Sequence, residues 1–532
     1  MTTRTATPPV IFTDDGWIFG DEPPVTVEDL WEKVVGSYAG TGGGLWWSIG
    51  DHEVYHYETQ VGEIFGEDME RLDQAVDSFA HSATPGVTHR IATNVKALLK
   101  SGGPLAIMSQ LCRKAGMQFF PRVRMNSHYV IDSQHPGYGR FRRENPELLI
   151  GRPDELLPEN SIEWAIRTGL NYAFPEVRAH MARVIFEVFE QFDVDGVELD
   201  FMRHPAFFRM EEAYANRYLM TDLVRRVHKR LKAVSAERGK DLLLAVRVPP
   251  TLADSVRIGL DVQHWVTQEL VDIVVVGGGF IPFETPVSEF VEAARGTTCR
   301  VYGCIEATRY IDERNLRALA SRWWEDGASG IYLYNFYTMS AEWNRRIYAQ
   351  LSDPAAIRHI DKRYEMDCAG PLSPIEGHSG AFRYASPETQ LPVVLQAGYA
   401  GEGPALRMRV SDDVEVANAK GVLDSCNLVL RLQNLAGDDQ LEVKLNHEAI
   451  LWSLAQISFG GWKRLQVGSL FWSHYPSHPV EVEQPCARVE FTIGCPPLKY
   501  GENEVEIRMV SESREGHEPV VLEGMEINVA YK

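Results

Sequence analysis

The sequence has no apolar run long enough to cross a membrane. The longest, Ile273–Phe280, falls far short of the roughly 20 residues that a spanning helix needs. Its 7 cysteines (Cys112, Cys299, Cys304, Cys368, Cys426, Cys486 and Cys495) are scattered, with no CxxC pair and no zinc spacing. An odd, unpatterned set of this kind reads as buried or idle reduced thiols. There is no basic stripe either. Lys+Arg number 53 against 74 Asp+Glu, a net charge of −21, whereas phosphate binding needs clustered cations. Nucleic acid and anionic membranes are therefore not expected as partners. No GxGxxG opens a helix, and Gly277-Gly-Gly279 runs into Phe280-Ile-Pro-Phe283 instead of a helix start, which argues against a dinucleotide cradle. Met1–Pro9 is Thr-rich without an apolar h-region, so the expectation is a cytoplasmic protein with no signal peptide. Repeats and low-complexity tracts are missing as well.

What the chain does have is one change of texture. Up to about Asp367, short apolar runs alternate with amphipathic stretches of helical period. Cys368–Ser379 then gathers Pro, Gly and Ser as a linker. Beyond it, Leu391–Leu395, Leu406–Val410, Leu428–Leu432, Leu441–Leu445 and Val505–Val510 alternate apolar and polar residues, with almost no helical period. The expected division is a barrel over residues 1–370, and a linker with an antiparallel β-sandwich over 371–532.

Eight candidate strands lie in the first part: Val10–Thr13, Gly44–Ile49, Met117–Arg124, Gly196–Phe201, Leu242–Val248, Ile273–Val276, Arg300–Ile305 and Gly330–Phe336. Helical stretches separate them, among them one starting at Pro175, one over Leu219–Val234 and one over Leu316–Trp324. Trp47–Gly116 is long enough for an inserted loop besides its helix. Eight alternating units predict a closed (β/α)8 TIM barrel, whose chemistry gathers where the strands end.

In the fourth strand, Val197, Leu199 and Phe201 share the helix-facing side, which turns Glu198 and Asp200 into the barrel. Two inward carboxylates are costly unless paired or used. Glu198 either pairs with an inward arginine or takes part in chemistry. Other predicted strands also end in polar or aromatic residues: Asp14 and Asp15; Trp46, Trp47, Asp51 and His52; Arg122, Arg124, Asn126 and His128; Arg203 and His204; Arg247; Glu306; Asn335 and Tyr337. The four arginines either hold the carboxylates ionised or recognise an anionic or heavily hydroxylated ligand.

The run Asp195-Gly-Val-Glu-Leu-Asp-Phe-Met-Arg-His-Pro205 resembles the fourth-strand signature of glycosyl-hydrolase-like family ten. Asp14-Asp15-Gly16, Arg124-Met-Asn126, Asn171-Tyr172, Pro175-Glu-Val-Arg178 and Arg247-Val-Pro249 agree with it, so the resemblance spans roughly residues 8–350. It implies a TIM barrel, a carbohydrate substrate, and carboxylates at the ends of strands four and seven. The later turns Leu445-Asn446-His447 and Gly501-Glu-Asn-Glu504 are loosely similar to those of accessory β-domains in such enzymes. On this reading Asp200 and Glu306 are the catalytic pair, with Glu198 tuning Asp200. Trp47, Asp51, Arg124, Asn126, His128, Arg203, His204, Arg247, Tyr334 and Asn335 contact the sugar, and Trp46 and Tyr129 offer further stacking faces. No metal and no organic cofactor is needed, and the sequence leaves room for a homo-oligomer. A non-catalytic carbohydrate-binding barrel is the first alternative. A metal-dependent hydrolase using Asp14 or Asp15, His128 and Asp200 comes next, with a polysaccharide lyase using a Tyr, His or Arg base as a minor variant.

Overall fold

The computed structural model describes residues 7–51, 53–68, 86–128, 133, 135, 137–158, 161–277, 283–306, 312–336, 339–368, 389–396, 403–463, 483–511 and 518–532. Eight parallel strands close into a barrel: β1 (Val10–Asp14), β2 (Gly44–Ser48), β3 (Gln118–Arg124), β4 (Gly196–Asp200), β5 (Leu243–Val248), β6 (Ile273–Val276), β7 (Arg300–Glu306) and β8 (Gly330–Tyr334). All eight expected strands are present. Seven differ from expectation by one or two residues at an end, and β7 reaches Glu306 itself.

The strands are apolar on both faces because both faces are covered. Val197, Leu199, Ile305 and Leu333 pack outward in the large core shared with the helices. Ile11, Trp46, Phe120, Ile273, Val275, Tyr302, Cys304, Tyr332 and Tyr334 fill the inside. There Trp46 lies flat on Phe120, ring centroids 4.5 Å apart. The barrel is thus a packed interior rather than a pore.

Helix Pro175–Gln191 starts at proline, whose missing N–H is no loss in a first turn. Helix Met210–Arg238 runs longer than the expected Leu219–Val234, since its first turns carry exposed Tyr214 and Tyr218 and so lack a continuous apolar stripe. Helix Glu313–Glu325 is capped by Asp312, which accepts from the N–H groups of Arg314 and Asn315. Between β2 and β3 the chain adds three two-residue strands and the helices Val87–Lys100 and Pro104–Ala115. Among the described residues no helix is long and apolar enough to cross a membrane.

The C-terminal part is a two-layered antiparallel β-structure. One sheet orders β9 (Lys362–Glu365), β18 (Val520–Tyr531), β12 (Leu423–Gln433), β16 (Glu483–Ile493) and β15 (Gln456–Lys463), with β10 (Val393–Leu395) also on β18. The other orders β11 (Ala405–Val410), β17 (Gly501–Ser511), β13 (Gln440–Leu445) and β14 (Glu448–Ile450). Among the described residues a short α-helix, Val414–Ala419, and a 3-10 turn, Trp452–Leu454, interrupt the strands. Strand β9 joins this sheet although it precedes residue 371. Of the expected linker, Cys368 is described and 369–379 lie outside the described residues.

The two parts are docked through helix Glu313–Glu325. Arg322 donates from Nε to the Arg409 carbonyl at 2.9 Å, and Arg409 pairs with Asp326 at 2.6 Å.

Gly196, at the base of β4, illustrates how tightly the interior is filled: a Cβ there would meet the Leu243 carbonyl oxygen and the Phe120 ring. Gly196→Ala should therefore lose about 1–3 kcal/mol through overpacking, measured as a lowered denaturant midpoint.

Candidate active site

Alternation along each strand decides which side chains enter the barrel mouth. In β3, β4 and β5 the register aligns Arg122 with Glu198, and Arg124 with Asp200 and Arg247. In β7 and β8 it aligns Glu306 with Tyr334. Asp15 follows β1.

These side chains form one array. Arg122, fully buried, donates from Nε to Glu198 at 2.9 Å, from one terminal nitrogen to Asp15 at 3.0 Å and from the other to Asp200 at 3.1 Å. Arg247 grips Asp200 with two nitrogens, at 2.9 and 3.1 Å. Arg124 pairs with Asp15 at 3.0 Å, and Asn335 Nδ2 donates to the same carboxylate at 3.0 Å. Both guanidinium groups of Arg122 and Arg247 also lie over the Tyr334 ring, 4.6 and 4.0 Å from its centre. The Tyr332 hydroxyl donates to Glu198 at 2.9 Å.

The array divides its carboxyl groups by charge. Burial works to raise Asp200, but Arg247 and Arg122 overrule it and hold the group below the usual carboxylate range. Asp200 also accepts the N–H groups of Met202 and Arg203, each at 3.0 Å. It thus receives five hydrogen bonds. Asp15 is likewise lowered, its burial outweighed by Arg124 and Arg122. Glu198 goes the other way, pushed up to about 7 by burial and, beyond what Arg122 offsets, by the Asp200 charge beside it. Glu306 is raised by burial despite Arg203 and Arg247, and no described residue hydrogen-bonds to it. Among the described residues, the buried Tyr334 hydroxyl and Asn335 Oδ1 also have no hydrogen-bond partner.

Asp200, Glu198, Glu306, Arg124, Arg203, Arg247, Tyr334 and Asn335 are brought into this neighbourhood, as expected from the strand ends. Other expected contacts are not. Trp47 points outward into the helix-facing core and packs edge-on against Phe19; Trp46 is the inward member of that pair. Asn126 is consumed as a staple: Nδ2 donates to the carbonyls of Leu170 and Ala206, and Oδ1 accepts from the N–H groups of Ser127 and Leu170. His128 and His204 are buried edge-to-face on each other, with ring centroids 5.3 Å apart and the His128 N–H donating to His204 Nδ1. The Tyr334 ring is covered by arginine, so it offers no free face for stacking on that side. The side chain of Asp51, and Tyr129, lie outside the described residues.

Sequence reasoning overlooked Tyr332, although its period-two spacing from Tyr334 carried the signal, and it counted Asp15 among the polar strand ends but gave it a specific role only as a metal ligand. It also passed over His52-Glu53-Val-Tyr-His56, which has the HExxH spacing. That spacing presents two histidines to a metal only on a helix. Here Val54–Tyr55 is a strand, Glu53 adopts a positive φ of 68° and pairs with Arg142 and His180, and His56 packs on Phe19. Among the described residues no group of three or more His, Cys, Asp or Glu side chains converges to hold a metal.

No protein-family model matches the chain, and no curated protein matches it. Among solved structures it is similar to the endo-β-1,4-mannanase of Thermotoga petrophila, at 10% identity and a TM-score of 0.42, over 98% of this chain and 97% of that one. The PgaB glycoside hydrolase domain of Bordetella bronchiseptica is similar at 12% identity and 0.38, over 66% and 99%. The α-L-fucosidase isoenzyme 2 of Paenibacillus thiaminolyticus follows at 10% and 0.40, over 71% of this chain but little more than half, 56%, of that one. These structural neighbours are glycoside hydrolases. Scores this low carry no chemistry across, and the barrel stands on its own strand register.

Glu198 yields a pH test. Its folded pKa lies above its ordinary 4.5, so its neutral form is the one the fold favours. The associated stability is present below pH 4.5 and lost as pH rises towards 7. Glu198→Gln keeps an acceptor for Tyr332 and has no charge to develop. Between pH 4.5 and 7 the variant should lose less stability than wild type, by on the order of 1–3 kcal/mol in urea titrations. Equal pH slopes would refute the assignment.

Proposed function

We propose that this chain is a glycoside hydrolase of the glycosyl-hydrolase-like family ten type, acting on an oligosaccharide or glycoside. The observation that carries the reading is the different surroundings of two inward carboxyl groups at the C-terminal mouth: Asp200 is gripped by Arg247 and Arg122, whereas Glu306, at the end of β7, is buried with no hydrogen bond to a described residue. The first is held low and the second raised. A pair split in this way supplies one proton donor and one fixed anion under the same conditions. Glu306, hydrogen-bonded to no described residue and raised by burial, gives its proton to the departing glycosidic oxygen. Asp200, held ionised, stabilises positive charge developing at the anomeric carbon. Deprotonated Glu306 then takes a proton from the incoming water, which completes hydrolysis and restores the acid. Tyr334 Oη and Asn335 Oδ1, which have no hydrogen-bond partner among the described residues, are the groups of the array that would meet sugar hydroxyls.

The five hydrogen bonds on Asp200 set its role. With its lone pairs already engaged, it serves better as a charge than as an attacking nucleophile. The same saturation favours a second reading, a carbohydrate-binding barrel in which Asp200 only holds the arginines in place.

Glu306→Gln separates the two. It breaks no hydrogen bond to a described residue, whereas Asp200→Asn would leave Arg122 and Arg247 short of their shared anion and so confound stability with chemistry. On a substrate found by screening aryl-glycosides and polysaccharides, Glu306→Gln should lower kcat by about 10²–10⁴-fold with an unchanged melting temperature. The loss should be smallest for aryl leaving groups that depart without a proton. Near-normal turnover removes Glu306 from catalysis. A sugar that raises the melting temperature yet is never cleaved supports the binding reading.

A further inference from the structure

The sandwich holds a pair of sulfur atoms that the proposed hydrolysis does not use. Cys426 lies in β12, the strand hydrogen-bonded to both β16 and β18 at the centre of the larger sheet, and is 2% exposed. Cys495 lies two residues beyond the end of β16, in the turn that carries the chain across to β17 in the other sheet, and is half-buried. Strand pairing sets Cys426 opposite Ile493, which places the following turn over it. The two sulfur atoms are 3.7 Å apart, in hydrogen-bond contact. A disulfide needs them about 2.05 Å apart. Side-chain rotation and movement of the turn would have to supply the remaining approach.

We propose that Cys426 and Cys495 are a modification site, forming a reversible disulfide that ties the crossover between the two sheets of the sandwich to the central strand of one of them. The oxidant is a small-molecule disulfide of the glutathione class. The more accessible Cys495 attacks first, as its thiolate; contact with Cys426 holds it below its ordinary value. A bond forms between Cys495 Sγ and one glutathione sulfur, and the second glutathione leaves as a thiolate. Cys426, losing its proton, then attacks Cys495 Sγ and expels the first glutathione. Two protein thiols are oxidised to one disulfide, one glutathione disulfide is reduced to two thiols, and the two protons end on the departing glutathiones. The closed loop spans 69 residues, long enough for the cross-link to restrict the unfolded chain substantially.

Full-length protein incubated with oxidised glutathione, then denatured and alkylated without reduction, should carry five alkyl adducts by intact mass, against seven for the reduced protein. Peptide mapping should show Cys426 joined to Cys495, and the melting temperature should rise by about 5 °C, reversed by dithiothreitol. Cys486→Ser should still lose two thiols on oxidation. Cys495→Ser, checked for folding by circular dichroism, should lose none. Seven adducts after oxidation overturns the proposal, as does a glutathione adduct left on Cys495 or a bond joining Cys426 to Cys486. Since the assay reads thiols and not sugars, its result stands or falls independently of the hydrolase reading.

Discussion

The guanidinium group of Arg122 is the constraint on which the barrel mouth depends. Removing an arginine from water costs several kcal/mol unless its donors are met. Arg122 meets them with three carboxylates, Glu198 and Asp200 from one strand and Asp15 from the loop after β1, while its flat face lies over Tyr334. The converse also holds. Glu198 and Asp200 project from the same face of β4; Arg122 bridges them, Arg247 holds Asp200 ionised, and the remaining repulsion shows in the raised Glu198. Packing alone would favour apolar residues at these positions. The polar choice fixes a charge pattern instead.

That pattern explains why Glu306 differs from its neighbours. Of the two arginines that favour its charged form, Arg247 is committed to Asp200, and Arg203 offsets burial only in part while the Asp15 and Asp200 charges add to it. Burial therefore dominates at the end of β7, and the carboxyl is raised. Tyr332 does for Glu198 what no described residue does for Glu306, since its hydroxyl contacts both oxygens of the former. An acid deep in the barrel is thereby fixed in place, and the one at the mouth keeps its oxygens available. The chemical difference between the two glutamates follows from who reaches them, not from their residue type.

Much of this was legible in the sequence because a parallel barrel strand has period two and two buried faces. Gly196 to Asp200 announced its inward carboxylates by the apolar residues between them, and β7 announced Glu306 in the same way. What failed to show was anything decided by a neighbouring strand or by the loops. Trp46 and Trp47 are adjacent and alike, and only the pairing of β2 with β1 and β3 sends the first inward. Asn126 is polar at a strand end, like a ligand-binding residue, but two distant backbone segments and the N–H of Ser127 take up its hydrogen-bonding groups. Helix Met210–Arg238 begins a full nine residues before its apolar stripe becomes continuous at Leu219, so periodicity registered only its buried half.

The sandwich bears on the mouth through the same kind of interaction. The chain leaving β6 on the C-terminal side of the barrel is described again at Phe283, and there the second part takes hold of it. Asp367 accepts the N–H groups of Phe283 and Glu284, and the Asp367 N–H donates to Glu284 Oε2 in return. Arg322, from the helix that follows β7, donates to the Phe283 carbonyl at 2.6 Å and to Arg409 of β11. Gln390 completes the junction by donating to Glu284 and to the Arg407 carbonyl. One helix and one loop, each leading from a strand end at the mouth, are therefore anchored on the C-terminal sheets. Because buried backbone groups are costly to leave unmet, these bonds make the sandwich a support for the mouth's geometry and not a passive appendage.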